Sequence, residues 1–523
     1  MTSPEDLPER CRDFAELSAS LEPDETTRKE WLTLAHELVE DHVRASATTP
    51  YTAPRKGDYS ELGIPARSGR DMREVCALLR EGLREGAATT SPRYLGYLPT
   101  GALPAAAVAD YLAAGTNPYA ALATISPGAA AVEKVVGDWL CAAVGLPVGS
   151  GAALTSGGTQ AVLTAVIAAR DAHRVLGAGD GAAPHAPAVI YTTAQAHLSL
   201  RRALHVAGCH QLPVRLIATD AGHRMHPGDL ADAVRHDLRS GLRPWLVAAT
   251  AGTTNTGAVD PIDALADVCE RFDLWLHVDG AYGGLFHLSP ETRGGLEGLG
   301  RAQSVVVDPH KTLSLPYGLG AALLADVRTL RSSFASAAEY LPATDTTSPA
   351  DLGIELTRPF RALRLWLSLQ LCGTDAFVAA LSEKALLARF AHDRLSGIPG
   401  IVTGPSPSLS LFVFRLTDPS GGDTATLDLV ERLRSEGIAF LSTTSVDGRL
   451  WARVAVLSHR THLEHVSALC DAVAAIASPG PGRSGRDTDV RTVLRVPDEE
   501  IRVPDPKGPT ARGGSPSALR PSA

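Results

Sequence analysis

From about residue 91 to 330, short, almost uninterrupted apolar runs alternate with helix-patterned stretches. No other feature of the sequence constrains the fold as much. The runs are AVIYTT (188–193), VRLIAT (214–219), WLVAAT (245–250), LWLHVD (274–279), SVVVD (304–308) and GAALLA (320–325). Between them lie segments such as TQAVLTAVIAARDAHRVLG (159–177) and PIDALADVCERF (261–272). A strand that is apolar at consecutive positions is buried on both faces, so the pattern predicts an α/β fold with a mostly parallel sheet covered by helices on both sides. In such a sheet, ligands bind beyond the carboxyl ends of the strands.

The flanks read differently. TTRKEWLTLAHELVEDHVRA and GRDMREVCALLREGLREG carry apolar residues at three- and four-residue steps, so residues 1–90 are expected to be helical, with a Pro/Gly-containing connection at 50–68. A helix bearing Arg361, Trp366 and Leu369 is expected to lead out of the large domain (91–375) into a smaller α/β unit (376–478), in which SLSLFVFRL and ARVAVLS are strands. Residues 479–523, rich in Pro, Gly, Ser and Arg, are expected to be a disordered tail.

Charge narrows the function. The 523 residues carry a net charge of −9 with no long basic run, which argues against nucleic-acid and anionic-membrane partners. The N-terminus MTSPEDLPERCRDFAELS has no apolar core of a signal peptide, and no apolar stretch reaches membrane-span length. Seven cysteines, spread singly without a CxxC, fit neither a disulfide framework nor a metal site. The expectation is a cytoplasmic protein.

Only six of the 49 basic residues are lysines: Lys29, Lys56, Lys134, Lys311, Lys384 and Lys507. Arginine keeps its proton and lysine can lose it, so a lysine within an apolar stretch points to a task needing a free amine. Lys311 stands in such a place, between SVVV and LSLPYG, just past a predicted strand and beside His310. Burial would depress its pKa and let it form an imine, although a lysine in a loop can also snorkel to solvent. Asp279 ends another strand, before the small residues Gly280 and Ala281; it can reach a bound ring or merely cap a turn. Ser156-Gly157-Gly158-Thr159 runs directly into a helix and offers backbone N–H groups to one phosphate, or simply a helix cap. It is neither a Walker loop nor GxGxxG, so ATP and dinucleotides fit poorly. His197 follows a fourth strand and can stack on a ring, shuttle a proton or serve structurally. Each of these is ambiguous alone. Together they describe a phosphate cradle, a ring-nitrogen carboxylate, a stacking imidazole and an imine-forming lysine, which is the requirement of pyridoxal 5′-phosphate (PLP).

On these motifs the sequence resembles the group II PLP-dependent amino-acid decarboxylases, the family of aromatic-L-amino-acid and glutamate decarboxylases. SPRYLGYLPTG, SPGAAAVEKVVGDWL, TSGGTQA, AHLSLRRA, AGTTNTGAVDPI, HVDGAYGG, DPHKTLSLPYG and LTRPFRALRLW follow the family's order over about 91–475. The resemblance implies PLP fold type I (aspartate-aminotransferase-like), with a seven-stranded large domain, a small C-terminal domain and an N-terminal helical dimerisation segment. It also implies a homodimer with sites at the interface. Lys311 would be the Schiff-base lysine, Asp279 the partner of the pyridine nitrogen, and His197 the stacking residue, with Ala281 under the opposite face. Gly158, Thr159 and His310 would hold the phosphate, and Thr254 would lie beside the cofactor. Tyr97, Pro99 and Thr100 would line the substrate side, Thr100 near the substrate carboxylate.

The implied reaction is decarboxylation of an L-amino acid to its amine and CO2, and an aromatic or apolar substrate is expected. Two positions depart from the family. The loop 342–357 lacks the tyrosine that protonates the product in aromatic-amino-acid decarboxylases, leaving His197 or a partner tyrosine as donor. Asp308 stands where some members have asparagine. The first departure keeps aldehyde-forming oxidative decarboxylation open. Transamination, retro-aldol cleavage and a silent PLP-binding protein are further alternatives.

Overall fold

In the computed structural model the described residues are 7–53, 69–98, 101–176, 186–335, 347–417 and 423–477. Strands run in chain order: β1 (Tyr51–Thr52), β2 (Gly86–Ala87), β3 (Gly151–Thr155), β4 (Ala188–Thr192), β5 (Val214–Leu216), β6 (Arg243–Thr250), β7 (Trp275–Asp279), β8 (Ser304–Val307), β9 (Gly320–Leu324), β10 (Ile401–Thr403), β11 (Leu411–Leu416), β12 (Ser442–Val446) and β13 (Arg449–Ala455). Seven form the main sheet in the order β3-β9-β8-β7-β6-β4-β5. The pairings β4/β5, β4/β6, β6/β7 and β7/β8 are parallel. Strand β9 runs antiparallel to both its neighbours, β3 and β8.

The apolar runs become strands because both faces of the sheet are covered. One core gathers Val247, Leu276, Val278, Val305 and Leu323; the other gathers Ala153, Leu246, Ala248, Val306 and Leu324. The helix Gly158–Ala172 presents Ala161, Ala165, Ala168 and Ala169 to the second core, and such small side chains let it lie close on the sheet. The run at 214–219 yields only a three-residue strand. It is the edge of the sheet, bonded on one side to β4, and its residues are exposed.

Three helices form the N-terminal part: Leu7–Ser18, Glu25–Ser46 and Met72–Leu83. The second and third start at aspartate caps, where Asp24 accepts from the Thr27 N–H and Asp71 from the Arg73 N–H, each at 2.8 Å. Leu7–Ser18, which the periodicity does not single out, buries none of its side chains in this chain. Towards the C-terminus, β10-β11-β13-β12 make an antiparallel sheet packed on the helices Thr374–Ser396, Thr424–Ser435 and Leu463–Ala477. Arg361 is the residue before the helix Ala362–Cys372 rather than a member of it, while Trp366 and Leu369 lie within it. No single described helix is long and apolar enough to cross a membrane.

Candidate active site

The parallel strands β4, β6, β7 and β8 end on the same edge of the sheet, and β3 ends there too because β9 reverses between it and β8. Thr155, Thr250, Asp279 and the residues after Thr192 and Val307 therefore meet at that edge. They surround a cavity of about 360 Å³ lined, among others, by Gly158, Thr159, His197, Thr254, Asp279, Ala281, His310 and Lys311. Eight residues singled out from separate motifs thus share one wall. Tyr97 is outside it: its side chain is mostly exposed and lies 6.3 Å from the Phe440 ring, and the neighbouring Leu98 lines the cavity instead. Tyr97 takes a left-handed backbone (φ 48°), a conformation uncommon for a residue with a side chain. Pro99 and Thr100 fall outside the described residues, as does the first part of the loop 342–357.

Asp279 and His197 serve locally and face the cavity as well. The Ala281 N–H donates to Asp279 Oδ1 at 3.1 Å, so this strand-end carboxylate does cap its turn. The Ser199 N–H donates to His197 Nδ1 at 3.2 Å, making His197 the cap of the helix Leu198–Val206. An Nδ1 that accepts a backbone N–H carries no proton itself, so the neutral ring holds its proton on Nε2. Burial pushes the His197 pKa down, opposed by Asp279, which keeps the ring neutral at neutral pH.

The phosphate-cradle candidate is the start of the helix Gly158–Ala172, where backbone N–H groups lack partners within the helix. Two glycines there are dictated by close approach. A Cβ on Gly158 would lie 2.8 Å from Asp308 Oδ2, and one on Gly320 would lie 2.5 Å from Asp308 Oδ1. Gly158→Ala is therefore expected to displace the Asp308 carboxylate and weaken cofactor binding about tenfold, within the ~1–3 kcal/mol range of overpacking. A cofactor titration of the purified variant checks this; unchanged affinity would show that the close approach is not needed.

Asp308 is the member that motif reading underrated. It is almost wholly buried, and its Oδ2 lies 2.8 Å from Lys311 Nζ. The spacing i to i+3 on a short helical turn was the available signal. Two further features were not visible in the sequence. Tyr282, fully buried, bonds its hydroxyl to Ser410 Oγ at 2.9 Å and accepts the Ser410 N–H at 3.0 Å, tying the cavity wall to the C-terminal unit. Arg453 on β13 is buried without a carboxylate partner among the described residues. Its Nη1 donates to Ser442 Oγ at 3.0 Å, and the same oxygen accepts the Tyr97 N–H at 3.1 Å. Burial lowers the Arg453 pKa to about 10.

The arginines of LTRPFRALRLW act from behind the cradle. Arg358 pairs with Glu133 at 2.5 Å, and its Nη2 donates at 3.1 Å to the Leu154 carbonyl on β3, two residues before Ser156. Arg361 pairs with Glu355.

The donor set fits PLP: a lysine amine with access to the cavity, a carboxylate with one oxygen free of its turn, a neutral imidazole, and a helix N-terminus cleared of Cβ atoms. Comparison with known proteins agrees. The family model described as "Pyridoxal-dependent decarboxylase conserved domain" matches residues 66–416. The chain is 31% identical to the aromatic-L-amino-acid decarboxylase of Bacillus atrophaeus over 458 residues, 85% of this chain and 94% of that one. It is also 31% identical to the 4-hydroxyphenylacetaldehyde synthase of Rhodiola rosea over 461 residues, 83% of this chain and 92% of that one. The crystal structure of Oryza sativa TDC with PLP and tryptamine superposes with a TM-score of 0.81 at 27% identity, covering 87% of this chain and 98% of that one.

Proposed function

Because the chain belongs to the pyridoxal-dependent decarboxylase family, we propose that this cavity is its active site and that an aromatic L-amino acid is its substrate. The enzyme is a PLP-dependent amino-acid decarboxylase. The observation that carries the site assignment is the convergence of Lys311, Asp279, His197 and the Gly158–Ala172 N-terminus on one cavity.

In this reading Lys311 Nζ would hold the cofactor through its aldehyde group. Gly158, Thr159 and His310 hold the phosphate. Ala281 and His197 would hold the ring between them, with Thr254 beside it. Asp279, its Oδ1 fixed by the Ala281 N–H, keeps a proton on the pyridine nitrogen. Bound there, PLP supplies an electron sink for the pair released when the carboxyl group departs. The Nε2–H of His197 is the proton source on the cavity side, since Nδ1 is held by Ser199. Pro99 and Thr100, which lie outside the described residues, are assigned by the family motif alone to the substrate side, Thr100 towards the carboxylate, next to Leu98 on the cavity wall; Tyr97 stands outside that wall.

An aromatic substrate is supported by the names of the relatives and by the apolar Leu98 at the cavity. The test is purified protein with PLP and a panel of L-amino acids, following CO2, amine, ammonia and peroxide together. CO2 with an equal amount of amine from Trp, Tyr or Phe supports the proposal, and preference for a charged or small substrate overturns it. Ammonia and peroxide in step with CO2 would move the reaction to aldehyde formation, the chemistry named for the Rhodiola rosea relative. His197→Asn is expected to lower amine formation by about 10²–10³, the lower part of the range for loss of a positioned acid. If amine formation is unchanged, another group donates the proton.

The proposal extends to assembly and location. A homodimer with sites at the interface would cover the helix Leu7–Ser18 and the exposed Phe14, Leu17, Leu21, Trp31 and Leu32. The cytoplasm, a reducing compartment, suits seven cysteines that are all free thiols, five of them buried. Domain limits at 90, 375 and 478 are kept as the working division.

A further inference from the structure

Lys311 is the strong counter-charge of Asp308, at 2.8 Å, and Asp308 Oδ1 has no hydrogen-bond partner among the described residues. When Lys311 Nζ bonds the cofactor aldehyde it leaves that ion pair, and a buried carboxylate with one oxygen already unpaired loses its main compensation. His310 does not repair this as it stands. Its Nδ1 lies 2.7 Å from the Leu319 carbonyl, which only accepts, so the proton of the neutral ring is on Nδ1. Nε2 is then a bare lone pair, 3.8 Å from Asp308 Oδ2. Burial keeps this imidazole neutral in the cofactor-free protein.

The seat assigned to the phosphate thus has acceptors on one side and backbone N–H groups on the other. A phosphate dianion brings further acceptors. One added proton resolves the conflict: on His310 Nε2 it makes a donor to the phosphate and a cation beside Asp308.

The surrounding charges leave this to the pair. Lys311, on the same turn, is committed to the aldehyde. His197 faces Asp308 and Lys311 from across the cavity and answers to Asp279. Arg364, from the helix Ala362–Cys372, is paired with Asp110 and donates to the Tyr317 carbonyl at 2.9 Å. Tyr317 meets the His310 ring edge-on at 5.8 Å and carries no charge at neutral pH.

We propose that Asp308 and His310 act as a coupled pair that takes up one proton from solvent when the PLP phosphate seats, so that cofactor binding weakens as pH rises. An N–H bond forms at Nε2, no other bond in the pair changes, and the proton is returned when the cofactor leaves. Asp308 thereby becomes a cofactor-site residue rather than a weak substitute for asparagine. The inference rests on the cavity and phosphate assignments made above, which loss of the lysine–cofactor absorbance in Lys311→Ala and the Gly158→Ala titration test separately.

The experiment is titration of the cofactor-free full-length protein with PLP, and with pyridoxal, between about pH 7 and 9, where the free phosphate is already a dianion. Binding is read from protein fluorescence. For the wild-type protein the PLP dissociation constant is expected to rise towards tenfold per pH unit, the slope of one linked proton. Pyridoxal, which lacks the phosphate but shares the ring nitrogen, is expected to show a slope smaller by that one proton. Asp308→Asn and His310→Gln are each expected to flatten the PLP slope, and Asp308→Asn to bind PLP more tightly than wild type at the alkaline end. A pH-independent PLP constant in the wild-type protein, the same slope with pyridoxal, or an undiminished slope in both variants would each overturn the proposal. The PLP–pyridoxal contrast needs no variant, so the test stands even if a substitution impairs folding.

Discussion

Lys311→Ala is expected to abolish the covalent lysine–cofactor absorbance and to lower CO2 release by at least about 10³-fold, the upper part of the range for losing one positioned group. The expectation follows from geometry and chemistry together. Lys311 is the lysine on the cavity wall, its side chain is one-quarter exposed, and its amine sits at the edge where the strand ends converge. No neighbouring side chain among the cavity residues can replace an amine in bonding an aldehyde. The substitution leaves Asp308 without its ion-pair partner, but that carboxylate borders the open cavity rather than the closed core, so the fold is expected to survive. Circular dichroism of the variant checks that point. Lys311→Gln, which keeps a polar group near Asp308, separates loss of chemistry from local damage. Turnover retained by both folded variants would remove Lys311 from the mechanism, and with it the assignment of this cavity.

The largest expected effect on stability lies behind the cradle. Arg358→Met is expected to cost about 3–5 kcal/mol, the range for breaking a buried ion pair from one side. Glu133 and Arg358 are both nearly inaccessible, with side-chain exposures of 7% and 2%. Burial raises the Glu133 pKa, and Arg358 and Arg361 oppose that rise. Without Arg358 the carboxyl group stays in the core with a weaker partner, and the Leu154 carbonyl loses a donor. The double variant Arg358→Met with Glu133→Leu is expected to recover much of the loss, because no stranded charge remains. Denaturant midpoints of the wild-type protein, the single variant and the double variant measure the coupling. A single variant as stable as wild type would show that the pair contributes nothing. Because Leu154 leads into Ser156–Gly158, a loosened clamp is also expected to lower cofactor affinity before it unfolds the protein.

The two predictions draw on different kinds of legibility. Lys311 was readable because lysine is rare here and because charge interrupts an apolar run, a local contrast. Arg358 was visible only as part of a family motif. Its burial and its bond to Glu133, 225 positions earlier, belong to the packing of separate elements. Asp308 lies between these cases: its spacing from Lys311 was on the page, but its orphaned oxygen and its contact with two glycines arise from β9 folding alongside β8.

Local pattern determined the class of this protein. Consecutive apolar residues mean strands buried on both faces, helices between them mean a parallel sheet, and such a sheet places its ligand at the carboxyl edge. That reasoning reaches Lys311, Asp279, His197 and the Ser156–Thr159 turn, each at a strand end, while Thr254, Ala281 and His310 entered as cofactor contacts only through the family resemblance. Tertiary structure decided the rest. It made β5 a short edge strand, left Tyr97 outside the cavity wall, set His197 with its proton on Nε2 and His310 with its proton on Nδ1, and buried Arg453 without a carboxylate. In each case the deciding partner is distant in the chain or is a backbone group whose position depends on the whole fold. Hydrogen-bond direction and desolvation act only between groups that folding has brought together, so no reading of neighbouring letters contains them.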